Sequence, residues 1–259
     1  MPEVTEYQPG TFCWAELSAR EPSGAKKFYK EIFAWNFDDN PIPGGGVYTM
    51  CKARNRDVCA LYEQPGEQIS RGVPPHWMLY VSVANVDAST KRATDLGGKV
   101  HAPPFDVMDI GRMSVIEDPS GAIFALWQPG KHHGAGIAGE LQTVVWNELT
   151  TTDLGAAQRF YTGLFGWTAR ATSVPGIEYT DYFLGERAVA GMLQAPHPSV
   201  PTAWTTYFSV ADCDATTKSV KALGGKAIAP PKDIPTIGRF AVVQDPQGAV
   251  FGIISMQKK

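Results

Sequence analysis

The chain has 259 residues, of which 44% are hydrophobic and 19% are charged, and its formal net charge is −3. These proportions are typical of a globular protein, and the length fits two domains of ordinary size. No block of basic residues is present, which argues against nucleic acid or a membrane surface as a partner. No apolar run approaches the roughly 18 residues that cross a bilayer, and the N-terminus lacks the basic and apolar regions of a signal peptide, so we expect a cytoplasmic protein.

The first part of the sequence predicts a strand, a helix and a hairpin. Residues 12–17 form a short apolar run, and residues 22–33 place apolar side chains three and four positions apart, which predicts an amphipathic helix. Residues 47–51 and 58–62 are predicted strands on either side of Asn55. Cys51 and Cys59 therefore face each other across this hairpin, and a cytosolic chain is expected to keep both thiols reduced.

The same order of elements then begins again. Residues 77–83 are a predicted strand, residues 87–96 a helix followed by Gly97, and residues 112–116 and 123–127 two further strands. Between the last two strands, Asp118-Pro-Ser-Gly has proline at the turn position that its fixed φ suits. Residues 131–139 contain three glycines and are predicted to be a linker.

The second half of the chain repeats the first. Trp14-Ala-Glu16-Leu17 returns 132 residues later as Trp146-Asn-Glu148-Leu149, and Ile110-Gly-Arg112 returns 127 residues later as Ile237-Gly-Arg239. The second copy has therefore lost five residues (132 − 127), at a place matching residues 43–77. Such self-similarity indicates two copies of one domain, which we place at residues 1–130 and 140–259. Each copy holds two units of strand, helix and about three strands, and the four units begin near residues 11, 76, 143 and 203.

Several of the repeated motifs resemble a known family. Phe-Tyr in the first helix of each copy is followed by Phe33-Ala-Trp35 or Phe165-Gly-Trp167, and an Asp-Pro-x-Gly-Ala turn precedes the last strand. These features resemble the glyoxalase/bleomycin-resistance/dioxygenase group, the vicinal oxygen chelate superfamily, and residues 38–48 and 238–242 resemble its four-module actinobacterial members. The resemblance implies an α+β fold in which four βαβββ modules form two tandem half-barrel domains. The concave face of each half-barrel, here called a cup, is the ligand site in that family.

The resemblance also implies where a metal would bind. Enzymes of the superfamily hold a divalent metal through His or Glu on the first strand of each unit and a carboxylate on the last strand. The last-strand places fall here on Ala60, Ala125, Gly191 and Gly252, none of which can coordinate a metal. The first-strand places fall on Ala15, Met78, Asn147 and Thr205, whereas a register one residue later or earlier gives Glu16, Trp77, Glu148 and Trp204. Because a catalytic site usually takes three ligands from protein, we predict no metal and no other cofactor.

Individual side chains leave two interpretations open. Glu16 and Glu148 recur at one place in both copies, either as structural anchors paired with the recurring Arg112 and Arg239 or as pocket carboxylates. An arginine at a cup rim could also bind a ligand carboxylate or phosphate. His76, which follows Pro74-Pro75, is the one histidine on a predicted cup strand, and it serves either as a general acid or base or as an ordinary hydrogen-bonding residue at a strand start.

We therefore interpret the chain as a metal-independent small-molecule binding protein of the superfamily, which sequesters or transforms an apolar, aromatic or toxic metabolite. The first alternative is a metal-dependent glyoxalase-like lyase or a dioxygenase or hydroxylase that uses the candidate catalytic residues His76, Glu16 and Glu148. The second is a non-catalytic interaction protein whose cups are filled by side chains. The expected partner is a small molecule, not nucleic acid or a membrane, and the chain is expected to be a monomer or homodimer. The predicted ligand-binding residues are His76, Met78, Tyr80, Arg112, Trp127, Thr205, Tyr207 and Arg239, and the first cup, with His76, Tyr80 and Trp127, is the expected site.

Overall fold

In the computed structural model, residues 3–174 and 177–257 are described, so the outer ends of the predicted domains lie outside the described residues. The first copy forms a sheet of eight strands. Its elements are β1 (Phe12–Ala19), α1 (Pro22–Phe33), β2 (Asn36–Pro41), β3 (Val47–Ala53), β4 (Arg56–Glu63), α2 (Gly66–Ser70), β5 (His76–Ser82), α3 (Val86–Asp95), β6 (Lys99–Val107), β7 (Gly111–Glu117) and β8 (Ile123–Pro129).

The second copy repeats this order, except that α2 has no counterpart among the described elements. Its elements are β9 (Val144–Thr151), α4 (Leu154–Phe165), β10 (Thr168–Val174), β11 (Ile177–Leu184), β12 (Arg187–Gln194), β13 (Ala203–Ser209), α5 (Cys213–Ala222), β14 (Lys226–Ile234), β15 (Gly238–Gln244) and β16 (Val250–Met256). The equivalent residues Ala60 and Gly191 are 131 apart and Met78 and Thr205 are 127 apart, so four of the five lost residues lie in the α2 region.

Both sheets have the same strand order, β2-β3-β4-β1-β5-β8-β7-β6 and β10-β11-β12-β9-β13-β16-β15-β14. The first strands of the two units lie side by side and antiparallel at the centre, and each pairs in parallel with the last strand of its own unit. The predicted α+β fold of four βαβββ modules in two tandem half-barrels is thus confirmed. The central position of β1 and β5 brings their side chains together in the middle of one sheet face.

The hairpin of β3 and β4 has the predicted register. Cys51 lies directly opposite Cys59, and both thiols are free and buried. The turn residues Arg54 and Asn55 have φ of 51° and 61°, which is the left-handed conformation that both central residues of a two-residue hairpin turn adopt.

The two sheets enclose one core. Phe33 and Trp35, at the end of α1, contact Phe208 of the second sheet at ring-centroid distances of 5.0 and 5.4 Å. On the other side of the molecule, Phe124 of β8 contacts Phe160 of α4 at 6.2 Å. Helices α1 and α4 therefore pack between the sheets, and the opposite face of each sheet is the cup. Among the described residues, no helix has the length and apolar character that a membrane span requires.

Candidate functional site

At the centre of the first cup, Glu16 accepts hydrogen bonds from two tyrosines. Tyr48 donates to Oε2 at 2.8 Å and Tyr80 donates to Oε1 at 2.5 Å. The indole Nε1 of Trp14 in turn donates to the hydroxyl oxygen of Tyr48 at 2.9 Å. Glu16 lies on β1, Tyr48 on β3 and Tyr80 on β5, so three strands of one sheet supply the network. Within the sheet, Glu16 lies beside Met78 of β5 and Ala60 of β4.

The second cup contains the same network. Tyr179 donates to Oε2 of Glu148 at 2.9 Å, Tyr207 donates to Oε1 at 2.8 Å, and Trp146 donates to the hydroxyl oxygen of Tyr179 at 2.9 Å. This Trp–Tyr–Glu–Tyr network is therefore present in both copies. The geometry of the network follows from the fold and from the repeated residues.

Burial dominates the protonation of both carboxyl groups. Removal from water raises the pKa of Glu16 and of Glu148 above its ordinary value, and the hydrogen bonds from the two tyrosines partly offset that effect. Burial likewise raises the pKa of Tyr80 and Tyr207, and the neighbouring glutamate adds to the shift. At neutral pH the phenol groups therefore stay protonated and act as donors to the carboxyl oxygens.

The structure resolves the register of the first strands. Glu16 and Glu148 face the cups, whereas Ala15 and Asn147 face the core, so the placement of Ala15 and Asn147 in the cups was wrong by one residue. Met78 and Thr205, by contrast, face the cups as predicted, and each lies beside the glutamate of its cup. Distances counted from the helix fail here because residues 20–21 join β1 to α1 whereas residues 83–85 join β5 to α3.

The residues present do not fit the divalent metal that the resemblance implies. Beside Glu16 and Tyr80 stand Ala60 and Ala125, and beside Glu148 and Tyr207 stand Gly191 and Gly252. A Cβ added at Gly191 or Gly252 would overlap Tyr179 or Tyr207, so a tyrosine fills the space that a longer side chain would need. Within the described chain, no group of three His, Cys, Asp or Glu side chains is placed to hold a metal. One glutamate per cup is a poor donor set for such an ion.

The two recurring arginines lie on the helix side of their sheets. Arg112 binds Asp87 of α3 through Nε and Asp106 through Nη1, both at 2.9 Å. Arg239 forms the equivalent pairs with Asp214 and Asp233. The expected pairing of these arginines with Glu16 and Glu148 was therefore wrong, because strand alternation turns them away from the cup.

His76 and Trp127 occupy different parts of the first cup. His76 is partly exposed at the start of β5, with Nδ1 2.9 Å from the carbonyl oxygen of Pro74. Trp127 is only 5% exposed, and its Nε1 donates to the carbonyl oxygen of His132 at 3.0 Å. The structure thus places Tyr80 and Trp127 together, with ring centroids 6.2 Å apart, and leaves His76 at the rim with an ordinary backbone contact.

Sequence reasoning missed Tyr48 and Tyr179 as site residues. A usable indication existed, since the two tyrosines recur 131 residues apart, just as Glu16 and Glu148 recur 132 apart. Neither position is a metal-ligand place in the family, so a search guided by metal ligands passes over both.

A groove of about 580 Å³ lies outside both cups, between α1 and the Asp245 turn. Its buried acid, Asp245, already accepts hydrogen bonds from Tyr29 and from three backbone amides. The rest of its lining is largely exposed charged side chains, Glu21, Lys27, Lys30 and Glu31, in contrast to the aromatic lining of the cups, so the cups remain the candidate site.

Comparisons with known proteins agree with this architecture. The chain is 43% identical over 256 residues, which are 98% of each chain, to "Putative glyoxylase CFP32" of Mycobacterium tuberculosis. It is 33% identical, over 98% of this chain and 96% of the relative, to "Anthracycline biosynthesis protein DnrV" of Streptomyces peucetius. Among solved structures, the Mn(II)-bound glyoxalase from Novosphingobium aromaticivorans matches with a TM-score of 0.64 and 14% identity, covering 96% of this chain and 82% of that one. At that identity the match establishes the fold alone.

The sequence matches the family description "Glyoxalase/Bleomycin resistance protein/Dioxygenase superfamily" over residues 12–126 and again over residues 133–253. The two matched stretches each contain one eight-stranded sheet and one Trp–Tyr–Glu–Tyr network. The chain therefore belongs to the glyoxalase/bleomycin-resistance/dioxygenase superfamily.

Proposed function

We propose that the chain binds a small apolar or aromatic metabolite in a cup without a metal ion, and thereby sequesters or transforms it. The observation that carries the proposal is that the glutamate of each cup is engaged in hydrogen bonds with tyrosines. Both oxygens of Glu16 and of Glu148 accept hydrogen bonds from tyrosines, and the places of the other carboxylates hold alanine or glycine. What remains of the family's metal site is an aromatic surface with one polar centre.

The lining of the cups favours a planar aromatic ligand. Trp14, Tyr48, Met78 and Tyr80 face the first cup, and Trp146, Tyr179 and Phe240 face the second. Aromatic faces contribute about 0.5–1.5 kcal/mol to ring stacking beyond the burial of area. The relative named for anthracycline biosynthesis suggests the size of such a ligand, since anthracyclines carry a planar fused-ring chromophore.

Equilibrium dialysis with 1,4-dihydroxyanthraquinone tests the proposal. The protein is treated with chelator, freed of it, and dialysed against the probe with and without added Mn²⁺. We expect saturable binding whose affinity does not change with the metal. Binding that requires Mn²⁺, or the lack of any saturable binding, would contradict the proposal.

The metal-dependent lyase or dioxygenase is less well supported. It would need Glu16 and His76 as ligands, but His76 lies at the cup rim against the Pro74 carbonyl, and two donors fall short of the usual three. The interaction protein with filled cups does not fit the second cup, where Trp146 and Glu148 are only half-buried.

A further inference from the structure

We infer that the two cups are not equivalent, and that the second cup is the binding site for a planar hydroxylated aromatic molecule. The inference rests on the proposed function and assigns it to one place. The second cup is defined here by its cup-facing residues Trp146, Glu148, Tyr179, Thr205, Tyr207, Phe240 and Ile254. It differs from the expectation drawn from the sequence, which favoured the first cup.

The first cup is closed by the segment between the two copies. The imidazole of His132 meets the ring of Trp14 edge-on at a centroid distance of 4.5 Å and the ring of Trp127 at 6.0 Å. Trp14 is 6% exposed and Trp127 is 5% exposed, so the His132 ring covers the aromatic surface that a planar ligand would use.

Hydrogen bonds fix this segment, residues 131–137, across the cup. The amide of Ala135 donates to the carbonyl oxygen of Cys13 and the amide of Gly136 donates to that of Asp57, both at 2.9 Å. The hydroxyl of Tyr7 donates to the carbonyl oxygen of Ala135 at 2.8 Å. Gly134 has a φ of 129°, and a Cβ there would overlap the Cys13 carbonyl, so only glycine permits this close approach. Residues 131–137, called the strap below, are therefore part of the folded structure and are hydrogen-bonded to β1, β4 and the N-terminal segment.

The second cup is more open at the corresponding place. Trp146 and Glu148 are half-buried, whereas their counterparts Trp14 and Glu16 are buried. Ile254 stands where the first copy has Trp127, 127 residues earlier, so the indole that holds the His132 carbonyl has no equivalent there.

The floor of the second cup suits a flat molecule. The glycines Gly191 and Gly252 let the tyrosines lie directly on the strands, and a Cβ at either position would overlap Tyr179 or Tyr207. Phe240 adds a further ring 6.3 Å from Tyr207. The polar centre is the Glu148 carboxyl with its two phenol groups, which offers oxygen acceptors to a ligand hydroxyl. A planar ring system that carries hydroxyl groups matches both features.

A matched pair of variants separates the two cups. Thr205 and Met78 are equivalent positions, 127 residues apart, and both are half-buried beside the glutamate of their cup. In Thr205→Trp the added indole fills the second cup, and in Met78→Trp it fills the first. The probe is 1,4-dihydroxyanthraquinone in equilibrium dialysis, which reports stoichiometry as well as affinity.

We expect one equivalent of probe per wild-type chain, about tenfold weaker binding in Thr205→Trp, and binding within about twofold of wild type in Met78→Trp. Two equivalents per chain, or weakening confined to Met78→Trp, would overturn the assignment to the second cup while leaving the proposed function intact. No binding to the wild type would overturn the proposed function itself, and this inference with it. If Thr205→Trp does not fold, Thr205→Met, which copies the residue of the first cup, takes its place and should still weaken binding; unchanged binding in that variant overturns the assignment.

Discussion

At the scale of single residues, the two cup glutamates are carboxyl groups whose pKa the fold controls. Burial raises the pKa of Glu148 above its ordinary value of 4.5, and the hydrogen bonds from Tyr207 and Tyr179 offset this in part. A carboxyl whose pKa is higher in the folded than in the unfolded chain binds protons more tightly when folded. Its stabilising contribution is complete below the unfolded value and is lost as the pH rises through the folded value.

Glu148→Gln should remove this pH dependence while keeping the side-chain volume. Relative to the variant, the free energy of unfolding of the wild type should fall as the pH rises above about 4.5, because ionisation of the buried carboxyl costs more than ionisation in water. Urea unfolding over a pH series measures both proteins. Glu31→Gln, at an exposed position of α1, is the control and should follow the wild type. A constant difference between wild type and Glu148→Gln would disprove the raised pKa.

Trp127 stabilises the first copy by packing against Gly111 and by its hydrogen bond to His132. Gly111 lacks a side chain where the indole lies, since a Cβ there would overlap the Trp127 ring, and the indole also holds the strap at His132. Trp127→Ala should therefore destabilise the fold by about 3–5 kcal/mol, as buried large-to-small changes do. Thermal unfolding measures this cost, and probe binding by the folded variant should stay close to that of the wild type. If Trp127→Ala loses probe binding but keeps its stability, the first cup is the binding site.

At the scale of elements, the sequence predicts those whose apolar residues are periodic. The helix at residues 22–33 has the predicted bounds, and the hairpin strands differ from prediction by one or two residues at their ends. In the first copy, the strands without predicted bounds are β2 and β6, which form the edges of the sheet, and their counterparts in the second copy are the edge strands β10 and β14. In β6 the pattern is interrupted by Pro103 and Pro104, and β2 reads Asn-Phe-Asp-Asp-Asn-Pro with little alternation. Edge strands bury one side at most and tolerate proline, so their composition does not identify them.

The candidate site could be predicted only in part, for a related reason. Strand alternation correctly placed Met78, Tyr80 and Trp127 on one face and Trp77 and Leu79 on the other. The recurrence of Tyr48 marks it as a repeated residue, but its contact with Glu16 could not be predicted, because Tyr48 reaches Glu16 across a sheet whose register depends on long-range pairing. The sequence of residues 131–139 likewise did not predict that this segment covers the first cup, because its glycines are typical of any linker.

The β3–β4 hairpin allows a test of thiol burial. Cys51 and Cys59 are both free and fully buried, and burial raises the pKa of Cys59 well above its ordinary value. Burial also raises the pKa of Cys213 to about 11. Because the thiolate is the reactive form, a thiol reagent should modify the cysteines of the native protein slowly. After unfolding in urea, the reagent should modify all four cysteines rapidly. Fast modification of Cys51 or Cys59 in the native protein, located by peptide mapping, would contradict the buried hairpin.

At the scale of the whole molecule, the two copies depend on each other. Tyr29 of α1 donates to Oδ2 of Asp245 in the second copy at 3.0 Å, and Tyr161 of α4 donates to Oδ2 of Asp118 in the first copy at 2.8 Å. The two copies predicted from the repeat therefore share one core. The Asp-Pro-x-Gly turn, a local motif in the sequence, is a contact between copies in the fold.

Tyr29→Phe tests this reciprocal contact. The change leaves Asp245 without its side-chain donor and Trp77 Nε1 without its acceptor, which is the Tyr29 hydroxyl at 3.2 Å. Each buried group left without a partner costs about 1–3 kcal/mol, so urea unfolding should show a loss in that range or above it.

Tyr182→Phe is the matched control, because Tyr182 is equally buried in the same core but its hydroxyl donates to the sulfur of Met192, its one hydrogen-bond partner among the described residues. Its loss should be smaller, since a thioether is a weak acceptor. Since the rings of α1 pack on both sheets, Tyr29→Phe should weaken the two halves together and keep a single unfolding transition. Two separate transitions in Tyr29→Phe would show that the copies fold independently, and equal losses in the two variants would show that the cross-copy hydrogen bond contributes nothing beyond packing.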